Sequence, residues 1–361
     1  MKLDPATIGI SAGAADAYRR LGAERQRTLV APEDDMWATF ADRAEPHALT
    51  VGTQLVGRFS VDDDNQLHGF YVRDDFEEYA AELFAHVVDD MDITAAMAST
   101  VDPTFLSLSL AAGGSSQPVA VMYDHVARPV SDETVDVRPA TRADHPAAVA
   151  FYRAETGSPE AFLEPFLAER IELHELYLVE ADGKIAATGE CRADLRAPSN
   201  AHLGLVVGSE LRGRGMGSRL MHTLTEICKD QDLTPRCSTE PTNLAAQTVI
   251  RRAGFRTRHQ IFKIAATSAS TDTALARLAG LARRPRRRSQ PLLAQWRRAR
   301  VLGPDEAAHR YDSQRNCPVT EGRARRVHSM SGYRASVQME FWSGQGLRAA
   351  WRGVDMGGAA R

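Results

Sequence analysis

The stretch best suited to chemistry is "LRGRGMGSRL", residues 211–220. Gly213, Gly215 and Gly217 stand at alternate positions, Arg212, Arg214 and Arg219 flank them, and the apolar run "LGLVV" precedes them. Glycine tolerates positive φ and close backbone approach, so successive N–H groups in such a run can converge on an anion. A helix beginning inside the run would favour the same occupant through its N-terminal dipole. The spacing removes two common owners of a phosphate loop. A dinucleotide fingerprint needs G-x-G-x-x-G, and counted from Gly213 the third glycine position falls on Ser218. A P-loop needs a lysine after its glycines, and none follows here. What remains is R-x-x-G-x-G, spelled Arg212, Gly213, Arg214, Gly215, Met216, Gly217, for which a diphosphate is a natural occupant. The bland alternative is a tight strand-to-helix turn, although one or two glycines would serve for that.

The surrounding elements are ordered for such a loop. "VDVRP" reads as a short strand, and "TRADHPAAVAFYRAE" as a helix capped by Thr141 or Asp144. "FLEPFLAERIELH" is a second helix. "LYLVEADGKIAATGECRA" is a hairpin turning at Asp182-Gly183, and "HLGLVV" is the strand that feeds the loop. In "MGSRLMHTLTEICKD", Leu220, Leu224 and Ile227 share one helical face. A strand at "PRCSTE", a helix at "NLAAQTVIRRA" and a strand at "HQIFKI" complete the unit.

A length of 361 residues suggests two domains. The N-terminus has no signal-peptide core, and no stretch approaches the roughly 18 uninterrupted apolar residues of a membrane helix. A cytoplasmic location without a membrane partner is therefore expected. Cys191, Cys228, Cys237 and Cys317 show no metal-ligand or CxxC spacing, so neither a metal site nor a disulfide framework is expected. The net charge of −3 hides an asymmetry: residues 267–361 hold 18 of the 44 basic residues, all arginine, and 7 of the 47 acidic ones. An acidic body thus carries a basic tail. Apart from a short helix expected over residues 275–281, the tail lacks helical or strand periodicity, and little packed structure is expected there. It would serve as a nucleic-acid arm only through phosphate neutralisation; without interleaved stacking aromatics, a nucleic-acid partner is not the expected reading.

The first half repeats the second. "GFYVRDDF" matches "GLVVGSEL" in pattern, which sets Gly69 against Gly204, and "STVDPTFL" matches "CSTEPTNL", which sets Pro103 against Pro241 and Phe105 against Asn243. "VAVMYDH" takes the place of "HQIFKI". Two matches at similar spacing point to a duplication.

With these residues in hand, the chain resembles the GNAT acyltransferase superfamily, over about residues 135–265 and, in degenerate form, over much of the first 130. The signature V-x-x-x-x-R-x-x-G-x-G is present as Val207 followed by Arg212, Gly215 and Gly217. A second block, N-x-A-A…GF, is present as Asn243, Ala245, Ala246, Gly254 and Phe255. The resemblance implies an α/β (α+β) fold of two GNAT-like domains, each a central mixed, mostly antiparallel sheet flanked by helices. It divides the body into a degenerate domain at 1–134 and an acyltransferase domain at 135–266, followed by the arginine-rich tail at 267–361, which is expected to be disordered. It further implies acetyl-CoA as acyl donor, with the pyrophosphate held by the amides of Arg212, Gly213, Arg214, Gly215, Met216, Gly217 and Ser218. Leu205, Val206 and Val207 would run beside the pantetheine, the Val207 N–H would polarise the thioester carbonyl, and Asn243 would contact the pantetheine.

Acyl transfer to an amine needs a base and, where the thiolate needs protection, an acid. Glu190, on the strand before the cofactor strand, and His202, at the start of that strand, are the two candidates for the base. Cys191 alternates to the other face and reads as core. The family often places a tyrosine acid five residues before the "GF" phenylalanine, and here that position is Ile250. In the first half the loop position reads "RDDFEEYAAEL", and Asp74, Asp75, Glu77 and Glu78 would repel a diphosphate. That half is expected to have lost CoA binding and to serve as a packing partner or as one wall of the acceptor site. The expectation is an N-acetyltransferase for a small-molecule or peptide amine, monomeric through its internal pairing or a homodimer. A non-catalytic acyl-CoA sensor and a nucleic-acid-binding protein acting through the tail are the alternatives. No motif over residues 156–174 names the acceptor.

Overall fold

The computed structural model describes residues 3–266; the arginine-rich tail, with the helix expected in it, lies outside the described residues. The first half holds strands β1 (Ile8–Ala12), β2 (Glu45–Val51), β3 (Gln54–Val61), β4 (Gln66–Val72), β5 (Ala95–Ser99) and β6 (Gly113–His125). Its helices are α1 (Ala15–Thr28), α2 (Asp35–Arg43), α3 (Ala80–Asp90) and α4 (Pro103–Ala112). The second half holds β7 (Arg138–Pro139), β8 (Leu176–Ala181), β9 (Lys184–Ala193), β10 (Asn200–Val207), β11 (Thr234–Thr239) and β12 (Phe255–Ala266). Its helices are α5 (His145–Thr156), α6 (Glu160–Glu172), α7 (Met216–Asp230) and α8 (Leu244–Arg252).

Local rules account for several of these boundaries. Asp182 and Gly183 both take positive φ, 51° and 71°, which is what a two-residue hairpin turn between β8 and β9 requires. Thr141 and Asp144 form a reciprocal capping box at the entry to α5, so both residues expected as the cap act together. Of "VDVRP" only Arg138 and Pro139 pair as strand, against Leu178 and Tyr177 of β8.

The strands form one twelve-stranded sheet in the order β1-β2-β3-β4-β5-β12-β6-β11-β10-β9-β8-β7. Its centre is an exchange. β6, the last strand of the first half, pairs with β11, and β12, the last strand of the second half, pairs with β5. β6 and β12 run antiparallel against each other between them. The cores follow the exchange: Ile264 of β12 is buried with Leu49, Phe59, Leu83 and Phe105 of the first half, while Tyr123 of β6 is buried with Leu203, Leu220 and Ile250 of the second. Neither half therefore completes its core from its own chain segment.

Two strand pairs are parallel, β4 with β5 and β10 with β11; the other pairs of the sheet are antiparallel. Each parallel pair is short. β10 meets β11 only at Asn200, Ala201 and His202, and β4 meets β5 only at Gln66, Leu67 and His68. Beyond those residues the strands part, which leaves a fork in each half.

Candidate active site

The fork of the second half opens beside the glycine loop. From Leu203 to the end of β10 the edge facing β11 is unpaired, whereas the other edge stays in register with β9, Leu205 opposite Gly189 and Val207 opposite Ala187. Leu205 is buried on the side covered by α7, Val206 packs on the side of α5 and α6, and Val207 is half-buried against the α7 core. The chain then turns through Gly213 and Gly215, whose φ values of 73° and 82° lie in the left-handed region, and Gly215 is the N-cap of α7. A Cβ at either position would meet nothing within 4 Å. Open space therefore lies over the loop, and backbone conformation, not crowding, demands glycine there. Gly217 serves differently: a Cβ there would come within 3.0 Å of Val249, so it lets α7 lie close to α8. The amides of Ser218 and Arg219 turn back to the Gly215 carbonyl. Met216 and Gly217 are the first residues of α7, where the N–H groups have no carbonyl one turn earlier in the helix to bond. An open turn at a helix start, with left-handed glycines, fits a diphosphate.

Arg212 does not point its charge into that space. Its guanidinium donates to the Val207 carbonyl at 2.9 Å and to Glu155 at 2.7 Å, and Glu155 also receives the Ser209 amide at 3.0 Å. Arg212 instead braces the end of β10 against α5. Asn243 caps α8, its Oδ1 accepting from the Ala246 amide at 3.0 Å. Asp102 caps α4 in the same way, through the Phe105 amide at 3.1 Å. The helix starts therefore pair Asp102, not Phe105, with Asn243. Ile250, at the family's acid position, is fully buried in the core under α7.

The two base candidates occupy one face of the sheet, opposite to α7. Glu190 lies across from Gly204, and Arg192 across from His202. Glu190 is wholly buried, accepts from Tyr152 Oη at 2.7 Å and pairs with the equally enclosed Arg192 guanidinium. Burial, and then the Glu190 charge, push the Tyr152 phenol well above its ordinary value, so it stays a donor to that carboxylate. His202 is buried too, its Nε2 3.0 Å from Asp194 Oδ2. Burial would raise the Asp194 carboxyl, but the hydrogen bond and charge of His202, together with the Ala197 and Arg196 amides, hold it below its usual range. The structure places Glu190 and His202 on neighbouring strands with Arg192 between them. Sequence reasoning missed Tyr152, although Tyr18 stands 134 positions earlier, close to the repeat offset. Cys191 points into the α7 core with Cys228 and Cys237.

Two adjoining cavities lie on this same face where the halves meet. One is lined by Asp124, His202, Arg236 and His259, and the other by Arg25, Trp37, His68, Met97 and Asp102, with Glu33 and Asp34 common to both. The Pro32 carbonyl accepts from Arg236 at 3.4 Å, so the α1–α2 connection of the first half reaches the fork of the second.

A twelve-stranded sheet with two forks and one glycine loop at a helix start is the arrangement expected of two GNAT-like domains in tandem, and comparison with known proteins agrees. Residues 16–126 match the family described as acetyltransferase (GNAT) domain, and residues 142–255 match acetyltransferase (GNAT) family. The chain belongs to the GNAT superfamily, with two GNAT domains in tandem. Among solved structures it is similar to an acetyltransferase of the GNAT family from Colwellia psychrerythraea, at 29% identity and TM-score 0.69, covering 72% of this chain and 100% of that one. It is also similar to a GCN5-related N-acetyltransferase from Sphaerobacter thermophilus, at 17% identity and TM-score 0.50, over 74% of this chain and 97% of that one. A tandem GNAT protein from the clavulanic acid biosynthesis pathway matches at 15% identity and TM-score 0.52, over 72% and 98%. The last two likenesses concern the fold alone. No curated protein matches the chain. Among the described residues, no helix is long and apolar enough to cross a membrane.

Proposed function

We propose that this protein is an N-acetyltransferase that moves an acetyl group from acetyl-CoA to an amine, with its active centre in the second half. The observation that carries the reading is the glycine loop, with Gly213 and Gly215 left-handed and open space above them, at the start of α7 beside the free edge of β10. Acetyl-CoA would supply an acetyl group activated as a thioester. The amides of the 212–218 loop would hold its diphosphate, β10 would line its pantetheine, and the Val207 N–H would stabilise charge developing on the acyl oxygen. Glu190 would accept a proton from the ammonium form of the acceptor, directly or through water, leaving the amine free to attack as the carbon–sulfur bond breaks. With Ile250 in place of a tyrosine, solvent would protonate the thiolate, which leaves readily with a pKa near 8.5.

The acceptor would approach from the face that carries Glu190 and His202, with Glu33 and Asp34 of the first half forming part of its wall. The β6–β12 pairing supports a monomer whose two halves close one sheet. The buried free thiols of Cys191 and Cys228 support a reducing compartment such as the cytoplasm. The test is release of free CoA thiol from acetyl-CoA across a panel of amines. Acceptor-dependent release is expected; tight acetyl-CoA binding without it would identify a sensor instead.

A further inference from the structure

The same device stands at both forks, and only one fork has a glycine loop beside it. In the second half Asp194 sits just past β9. Its Oδ1 accepts from the amides of Arg196 and Ala197 at 2.8 and 2.9 Å, closing the turn, and its Oδ2 receives His202 Nε2 at 3.0 Å. In the first half Asp62 sits just past β3. Its Oδ1 accepts from the amides of Asp64 and Gln66 at 3.0 and 2.8 Å, and its Oδ2 receives His68 Nε2 at 2.9 Å. His68 is the last residue of β4 to pair with β5, as His202 is the last of β10 to pair with β11. The two turns differ in length, and Asp62 Oδ2 also receives the Gln66 side-chain amide at 3.0 Å, yet in each half Oδ1 closes the turn and Oδ2 holds the histidine at the fork.

We infer that the His202–Asp194 pair is a positioning brace, which ties the β9–β10 turn to the apex of the fork and so sets the gap that receives the acyl donor. The pair does not take the acceptor's proton. This rests on the acyl-transfer reading of the site, and three observations support it. The first half keeps the pair although Asp74 and Asp75 stand at its loop position and Arg58, not a carboxylate, occupies the register position of Glu190. A proton acceptor would have no use there, whereas a fork still needs an apex. Both aspartates also hold backbone amides, which is the work of a turn. Finally, His202 precedes Val207 by five positions, about 16 Å along an extended strand, while Glu190 lies opposite Gly204, about 10 Å from Val207.

The test compares His202→Ala with His202→Gln, whose side-chain amide can still donate to Asp194, and repeats the pair at His68. Acetyl-CoA affinity is read by calorimetry, the thermal midpoint by circular dichroism, and kcat against pH by CoA release. His202→Ala is expected to weaken acetyl-CoA binding about tenfold. His202→Gln should restore it to within about threefold and keep kcat and its pH profile. At His68 both variants should leave acetyl-CoA affinity unchanged, with Ala lowering the thermal midpoint and Gln regaining most of it. Normal acetyl-CoA affinity in His202→Gln with a hundredfold loss of kcat and of the acidic limb of the pH profile would overturn the inference and make His202 the base. Unchanged affinity in a folded His202→Ala would also overturn it. Should His202→Ala not fold, the Gln variant alone decides through kcat and its pH profile. If the wild type releases no CoA with any amine, the acyl-transfer reading fails, and the affinity and midpoint comparisons still judge the brace.

Discussion

At equivalent places around their forks the two halves hold different residues, and the differences fall where chemistry would be done. The row at the apex is Ser60 and His68 in the first half, Arg192 and His202 in the second. One row on, Arg58 faces Tyr71 in the first half, and Glu190 faces Gly204 in the second. Tyr18 and Tyr152 reach down from the first helix of each half. Tyr18 Oη lies 3.3 Å from Ser60 Oγ, and its ring carries the Arg58 guanidinium 3.7 Å from its centroid; Tyr152 donates to Glu190. The histidine, the aspartate and the tyrosine recur, while the carboxylate and the glycine loop do not. A fold keeps what holds its strands apart, and on the proposed reading a half that held no diphosphate would have no need of open amides or of a base.

The sharpest way to break this comparison is to exchange the loop's character. Gly215→Glu places a side chain on a residue at φ 82° and a negative charge where the diphosphate would lie, so a loss of acetyl-CoA affinity of at least about 100-fold is expected by calorimetry. Asp75→Ala should leave the affinity unchanged, and the reverse outcome would make the first half the working one. Next in size, Glu190→Gln should lower kcat by roughly 100-fold or more with acetyl-CoA affinity within threefold. Arg58→Met, at the corresponding position, should leave kcat within about twofold in steady-state assays.

A smaller effect is expected from the tyrosines. Tyr152→Phe leaves a buried carboxylate short of a donor and should cost about 1–3 kcal/mol in urea unfolding. Tyr18→Phe, whose hydroxyl has only long contacts to Ser60 and the Ala41 carbonyl, both 3.3 Å, should cost less. The smallest concerns acid stability. Burial raises both Asp194 and Asp62, but the hydrogen bond and charge of each histidine, together with the turn amides, hold both carboxyls below the ordinary value. Their contribution to stability is therefore present above the unfolded pKa, about 3.9, and is lost as pH falls through the lowered folded value. Asp194→Asn and Asp62→Asn should each flatten the decline of the thermal midpoint below about pH 4, to a similar extent if the two forks are braced alike.

Much of the site was legible along the chain. The loop's glycines, the helix they start and the Asp182-Gly183 turn depend on φ values and caps set by immediate neighbours, so spacing alone exposed them. The pairing of the repeats was off by a residue or more for a physical reason. Between the Arg58–Tyr71 and Ser60–His68 pairs the β3–β4 register shifts, and Gly69 takes φ 59° within that shift. Sequence offsets therefore set Gly69 against Gly204 and hid the match of His68 with His202. Phe105 was set against Asn243 for a similar reason, the helix starts being one cap further back at Asp102.

By itself the sequence determined the glycine loop, the order of elements, the duplication and which half lacks the loop, because each is a matter of residue type at short spacing. Tertiary structure alone decided the exchange of β6 and β12, the withdrawal of Arg212 to Glu155, and the burial of Glu190 between Tyr152 and Arg192. Those contacts join residues far apart in the chain, and their strength comes from enclosure in a low-dielectric interior that no local pattern records.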